Sequence, residues 1–245
     1  MKRHWLLAVL ICTVLPNGAQ AQAEPTWGPV LRITPTLGIS PTFKQSGDAT
    51  IVSPTDVTVH RFQFDYPSGL PVGVNVELRF WNRFSLIAGG VWSARGDGEV
   101  TDFEEEVTYQ TAGTNFWLAK AGLAVRLNEV RPAMQRRQLN ASIFVAPALI
   151  RDVAKSELFA PVSAANTIEH FGVNLGAEGE LPLGSEHLAF TVGVEDWLIY
   201  WNDTDEEYLT RVGAYLEQGF PRDVVSVEAD RSHLWVLRVG LSFRF

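Results

Sequence analysis

Apolar and polar positions alternate with a period of two along most of the chain. Between His233 and Phe245 the pattern runs almost without fault. His233, Trp235, Leu237, Val239, Leu241, Phe243 and Phe245 fall on one face, and Arg238, Gly240, Ser242 and Arg244 on the other. Side chains at this spacing point to opposite sides of an extended strand, so the segment predicts a strand with one apolar and one polar face. Seven earlier segments read the same way. Their apolar positions are Leu31 to Phe43, Leu70 to Phe80, Phe84 to Trp92, Trp117 to Leu127, Leu139 to Leu149, Phe171 to Leu181 and Leu188 to Val194. Ile87 and Val91 blur the third segment.

The connections have a rhythm of their own. Long polar stretches at 44–69, 94–114, 151–167 and 201–231 alternate with short ones at 81–83, 128–138 and 184–187. An up-and-down sheet closed into a membrane barrel produces this, with short turns on one side and long loops on the other. Segments of about ten residues suit tilted membrane-crossing strands. Closure also removes the sheet edges that lipid cannot satisfy. The predicted fold is therefore all-β, an eight-stranded antiparallel up-and-down transmembrane β-barrel with short periplasmic turns and long extracellular loops. From Glu206 to Gly219, Tyr208, Val212, Tyr215 and Leu216 recur at helical spacing and predict a short amphipathic helix in the last loop.

The N-terminus bears on the compartment. Lys2 and Arg3 precede an apolar run from Trp5 to Leu15, and Ala19-Gln20-Ala21 and Ala21-Gln22-Ala23 both offer a small-x-small cleavage pattern. Residues 1–23 are expected to be an export signal, and 24–245 the barrel domain. Ile11 before Cys12 is too bulky for lipoprotein processing, so the only cysteine is expected to leave with the signal. Thiol catalysis and cysteine-based metal sites are then excluded. With 28 acidic residues against 20 basic ones, a nucleic-acid partner is also excluded.

Inward positions carry Glu77, Arg79, Lys120, Arg126, Glu178, Glu180, Glu195 and Arg238. Eight strands enclose a lumen just wide enough for side chains, where opposite charges pair and plug the interior. Left unpaired, the same residues would line a narrow solute channel. Trp81, Phe84, Trp92, Trp117, Trp201 and Trp235 are expected in aromatic belts at the two membrane interfaces.

The alternating strands, the mixed lumen charges and the closing Val239-Gly240-Leu241-Ser242-Phe243-Arg244-Phe245 resemble the small outer-membrane β-barrels of the OmpA/OmpX-like superfamily. The resemblance covers the whole mature segment and implies an integral protein of the outer membrane. Phe243 and Phe245 would then serve as the signal read by the barrel-assembly machinery. Partners would be outer-membrane lipid and lipopolysaccharide, with a surface ligand at the outer loops. A monomer is expected, and no cell-wall anchor.

The expected role is non-enzymatic: stabilising the envelope or presenting loops. A porin-like channel is the alternative, and a lipid-modifying enzyme the third reading. For the enzyme, His233 and Asp196 share the outward register near the loop end, but alternation sends Ser232 to the other face and leaves His233 without a nucleophile. His60, His170 and His187 lie apart with no metal-ligand spacing, so neither metal nor cofactor is expected. The acidic runs Asp102–Glu106 and Asn202–Glu207 read as solvated loop charge, or as carboxylates for a bridging divalent cation.

Overall fold

The computed structural model describes residues 30–52, 56–81, 83–127, 139–154, 167–184, 187–216 and 223–245. The expected export signal and its cleavage sites, the short connection at 128–138 and most of the long one at 151–167 lie outside them. Eight strands form the closed antiparallel barrel: β1 (Val30–Ile39), β4 (Gly69–Arg79), β5 (Phe84–Arg95), β8 (Thr114–Arg126), β9 (Asn140–Ala154), β10 (Thr167–Pro182), β11 (Leu188–Tyr200) and β13 (Ser232–Arg244). Each pairs with its neighbour in this order, and β1 closes the cylinder against β13 through Ile33–Phe243 and Leu37–Val239. The amide of Phe245 donates to the Leu31 carbonyl at 2.9 Å, so the C-terminal aromatic is held at the seam.

The wall is apolar outside. Leu37, Val72, Leu86, Leu123, Val145, Leu175, Val192, Leu237, Val239 and Leu241 all project outward and remain exposed. A continuous surface of this kind far exceeds what a water-soluble protein exposes and is suited to lipid.

Three of the long connections are not loops. Phe43 does not extend the first barrel strand but opens β2 (Phe43–Val52), which pairs with β3 (Val57–Tyr66) in a hairpin. With β6 (Gly98–Asp102), β7 (Val107–Thr111) and β12 (Asp223–Ala229) they build a second, five-stranded sheet in the order β12-β2-β3-β6-β7. The expected polar stretches 44–69, 94–114 and 201–231 thus contribute to a folded cap over the barrel mouth. The predicted helix is present as α1 (Glu206–Leu216). Asp205 caps it, its Oδ1 accepting the Glu207 amide at 2.9 Å, and Glu206 and Glu207 lie favourably in the first turn.

The core is continuous from cap to barrel. Ile51, Phe62, Phe64, Val100, Val227, Tyr208, Val212 and Leu216 form the cap portion. They join Phe116, Leu118, Ile150, Ile168, Trp197, Ile199, Leu234 and Val236, which point inward from the upper barrel strands. The upper barrel is therefore apolar on both faces, which explains why alternation fades there. Strands buried on both faces read as unbroken apolar runs. For this reason the sequence pattern ends the fifth strand at Leu149 and the seventh at Val194, whereas β9 and β11 continue to Ala154 and Tyr200.

The apolar wall gives a first prediction. Val239 lies mid-strand on the outer face, so Val239→Arg should destabilise the barrel by about 2–4 kcal/mol in bilayers. Denaturant unfolding from lipid vesicles measures it; an unchanged midpoint would mean that this face is not in lipid.

Candidate functional site

The lower half of the lumen, toward the short turns, is a charge network. Arg32, which sequence reasoning did not include, is its hub. Its guanidinium pairs with Glu77, with Glu178 at 2.7 Å and with Glu180 at 3.4 Å. Arg238 bridges Glu178 at 2.7 Å and Glu195 at 2.6 Å. Lys120 reaches the same Glu195 oxygen at 2.6 Å and donates to Asn174 Oδ1 at 3.0 Å. Arg244 closes on Glu180 from the end of β13, and Arg126 stands 3.9 Å from that carboxylate. Ser85 donates to Glu77 at 2.5 Å. Of the eight expected lumen charges, seven are buried; Arg79 sits at the lower mouth and is partly exposed. Arg32 and Arg244 were legible as inward positions from the alternation alone, since each faces the same side as its paired lumen neighbours.

Phe144 reaches into the lumen within this network, with the Arg238 guanidinium 6.0 Å from its ring centre. The Lys120 ammonium lies 4.4 Å from its ring centre, and 5.3 Å from that of Trp197. Gly176 makes room for the ring: a Cβ there would overlap Phe144 Cζ. The cavity that remains among Arg32, Asn75, Lys120, Glu178 and Arg238 has a volume of about 20 Å³. That is room for one water molecule, not for a path.

At the upper mouth the seal is aromatic. Tyr66 stacks on Phe43 at 4.6 Å and on Trp201 at 6.2 Å, and Trp201 stacks in turn on Tyr208. Arg95 lies over the Phe43 ring at 4.9 Å and donates to the carbonyls of Pro41 and Pro67 and to Ser40 Oγ. Trp201 is thus corrected from the expected aromatic belt. It is 7% exposed, donating through Nε1 to Ser232 Oγ at 2.9 Å. The outward position at the end of β11 belongs to Tyr200, one residue earlier, so parity sends Trp201 inward. The other expected belt residues do face outward. Trp81 stands beside Phe84 at the short-turn end, and Trp92 beside Trp117 and, separately, Trp235 at the loop end.

Polar contacts tie the cap down. Gln45 donates to the Tyr208 hydroxyl, and burial pushes that phenol far above its usual range, so it stays neutral. Arg211 of α1 pairs with Asp152 of β9 at 2.6 Å. Ser232 Oγ donates to the Lys44 carbonyl at 2.9 Å. His170 is fully buried inside the mouth and accepts the Asn202 amide at Nδ1, 3.0 Å away. In the cap sheet, Thr58 Oγ1 lies 3.0 Å from His60 Nε2, and His60 Nδ1 2.7 Å from Asp102 Oδ2. Asp102 also accepts the amides of Glu104 and Glu105, so the first acidic run begins in a buried clasp between β3 and the turn after β6.

On the outer wall, His233 Nδ1 stands 2.8 Å from Asp196 Oδ2. Ser232 faces the interior, as alternation requires, and is no nucleophile for this imidazole. Among the described residues no cluster of three or more His, Cys, Asp or Glu side chains is placed to hold a metal ion.

No family model and no curated protein matches the sequence. Solved structures do resemble the fold. The outer membrane protein OprG of Pseudomonas aeruginosa aligns with a TM-score of 0.58 at 10% identity, over 88% of this chain and 95% of that one. Neisserial surface protein A aligns at 0.44 and 9% identity, over 89% of this chain and 100% of that one. At such identity the first match speaks for the fold: an eight-stranded barrel of the outer-membrane type.

The network yields a second prediction. Arg238→Met takes from Glu178 and Glu195 one of the two cations that each of them pairs with in the buried lumen, and should destabilise the barrel by about 3–5 kcal/mol. Arg151→Met, at an exposed pair with Glu169, should change stability by less than about 1 kcal/mol. Loss of heat-shifted mobility on unboiled gels checks the pair of variants.

Proposed function

We propose that this protein is an outer-membrane anchor that holds a folded cap outside the cell, stabilising the envelope or presenting the cap to a surface partner. The observation that carries this reading is the filled interior. Among the described residues, a salt-bridged layer below and an aromatic layer above occupy the lumen, and the cavity inside the charge layer holds about 20 Å³. Such a barrel works as a support for what stands on it. The filled interior also argues against the small-solute channel, which needs a continuous wet path between Glu178 and Trp201. Loops carry binding in most scaffolds because the framework is committed elsewhere. Here the framework is committed to lipid and lumen, and the exposed cap residues are the ones at liberty to bind.

Two measurements test the proposal. Val57 is exposed at the tip of the β2–β3 hairpin, and Trp81 at the opposite end of the barrel. On intact cells, a membrane-impermeant maleimide should label Val57→Cys and spare Trp81→Cys; the reverse pattern would refute the orientation. In planar bilayers, refolded protein that shows the heat shift should pass no current. Discrete, salt-dependent conductance steps that change with Glu178→Gln would instead establish the channel.

A further inference from the structure

One carboxylate–imidazole contact, Asp196 with His233, stands on the outer face of the barrel wall. Asp196 projects outward from β11 between Val194 and Leu198, and its cross-strand neighbours on the same outer face are Leu175 and Trp235. It is 9% exposed, and its Oδ2 is engaged by His233. Its Oδ1 is buried with no hydrogen-bond partner among the described residues. An ionisable group facing lipid is disfavoured at the midplane and tolerated near the interface, and one kept there is a candidate functional residue. Because His233 uses Nδ1 for Asp196, its Nε2 lies on the far edge of the ring, and the side chain is 57% exposed. Arg231 comes two residues earlier, just before β13 begins, on the cap side of His233. Its guanidinium is held over the Tyr200 ring at 4.9 Å. A guanidinium, an imidazole, an unsatisfied carboxylate oxygen and the aromatic rings of Tyr200 and Trp235 thus share one patch at the loop-end interface.

We infer that Arg231, His233 and Asp196 form a headgroup site for a phosphate-bearing lipid of the outer leaflet. This deepens the outer-membrane reading above and rests on it. The phosphate accepts a charge-assisted hydrogen bond from the Arg231 guanidinium and lies against the Nε2 edge of His233. Asp196 Oδ1 accepts from a hydroxyl or amide donor of the same headgroup, and its Oδ2 keeps the imidazole aimed. The acyl chains lie along Leu175, Val194 and Leu198. Tyr200 and Trp235 sit at headgroup depth, where amphipathic rings are favoured.

The test is native mass spectrometry of the refolded chain in detergent, titrated with lipid A (a bis-phosphorylated, acylated glucosamine disaccharide) and with its dephosphorylated form. The wild type should retain the phosphorylated lipid roughly tenfold more strongly. Arg231→Gln and His233→Gln should each lose most of that preference, whereas Arg151→Gln, at the exposed Arg151–Glu169 pair, should keep it. Equal retention of the two lipids by wild type, or a preference unchanged in both variants, overturns the site. The gel heat shift separates the two levels. Loss of preference in material that shifts overturns only the lipid site, while a chain that never shifts overturns the membrane barrel along with it.

Discussion

An eight-stranded barrel is just wide enough inside to be filled by side chains, so each inward residue must find its partner across the lumen. In this protein the requirement is met around Arg32 and Arg238. Arg32 gathers Glu77, Glu178 and Glu180, while Arg238 holds Glu178 and Glu195, so Glu178 joins the two arginines. These residues come from β1, β4, β10, β11 and β13, which places five of the eight strands under one set of charge contacts. Buried pairs add little net stability over apolar packing, but a misplaced strand would leave charges unpaired in a dry interior. The network therefore selects the register. A one-residue slip of any of these strands would turn its charges to lipid and its apolar residues to the lumen.

Above Lys120 the lumen changes character. Phe116, Leu118, Ile150, Trp197, Leu234 and Val236 point inward where a water-filled barrel would carry polar groups. This apolar plug has an open top, and apolar surface at the mouth must be covered by something. The long connections cover it: Phe43, Tyr66, Trp201 and Tyr208 stack across the opening, and the five-stranded sheet and α1 close over them. The cap is thus a continuation of the barrel core, and its order follows from the same burial that fills the barrel.

The barrel was legible in the sequence because lipid and lumen impose opposite polarity on alternate residues, as in β13. Legibility ended where that contrast ended. Along β11 and just past it, Trp197, Ile199 and Trp201 are apolar and inward. Nothing in the pattern tells them from the outward Leu198 and Tyr200, which is why Trp201 reads as a belt residue. The cap strands were hidden for the converse reason. Gln45 and His60 occupy buried positions of β2 and β3 through specific partners, Tyr208 and Asp102, that lie far off in the sequence. A polar residue whose partner is distant reads as a loop residue. The outward pairing of His233 with Asp196 could be read from register alone, whereas the unpartnered carboxylate oxygen beside it required the packed wall.

Barrel and cap share one core, and hydrogen exchange on the folded protein in lipid tests this most directly. Amides in 43–51, 59–65 and 208–212 should exchange slowly, within about tenfold of the upper strands β9 and β11, because they open only with the shared core. Complete exchange of those segments at the earliest times, with the barrel strands still protected, would contradict a shared core and return the connections to being loops.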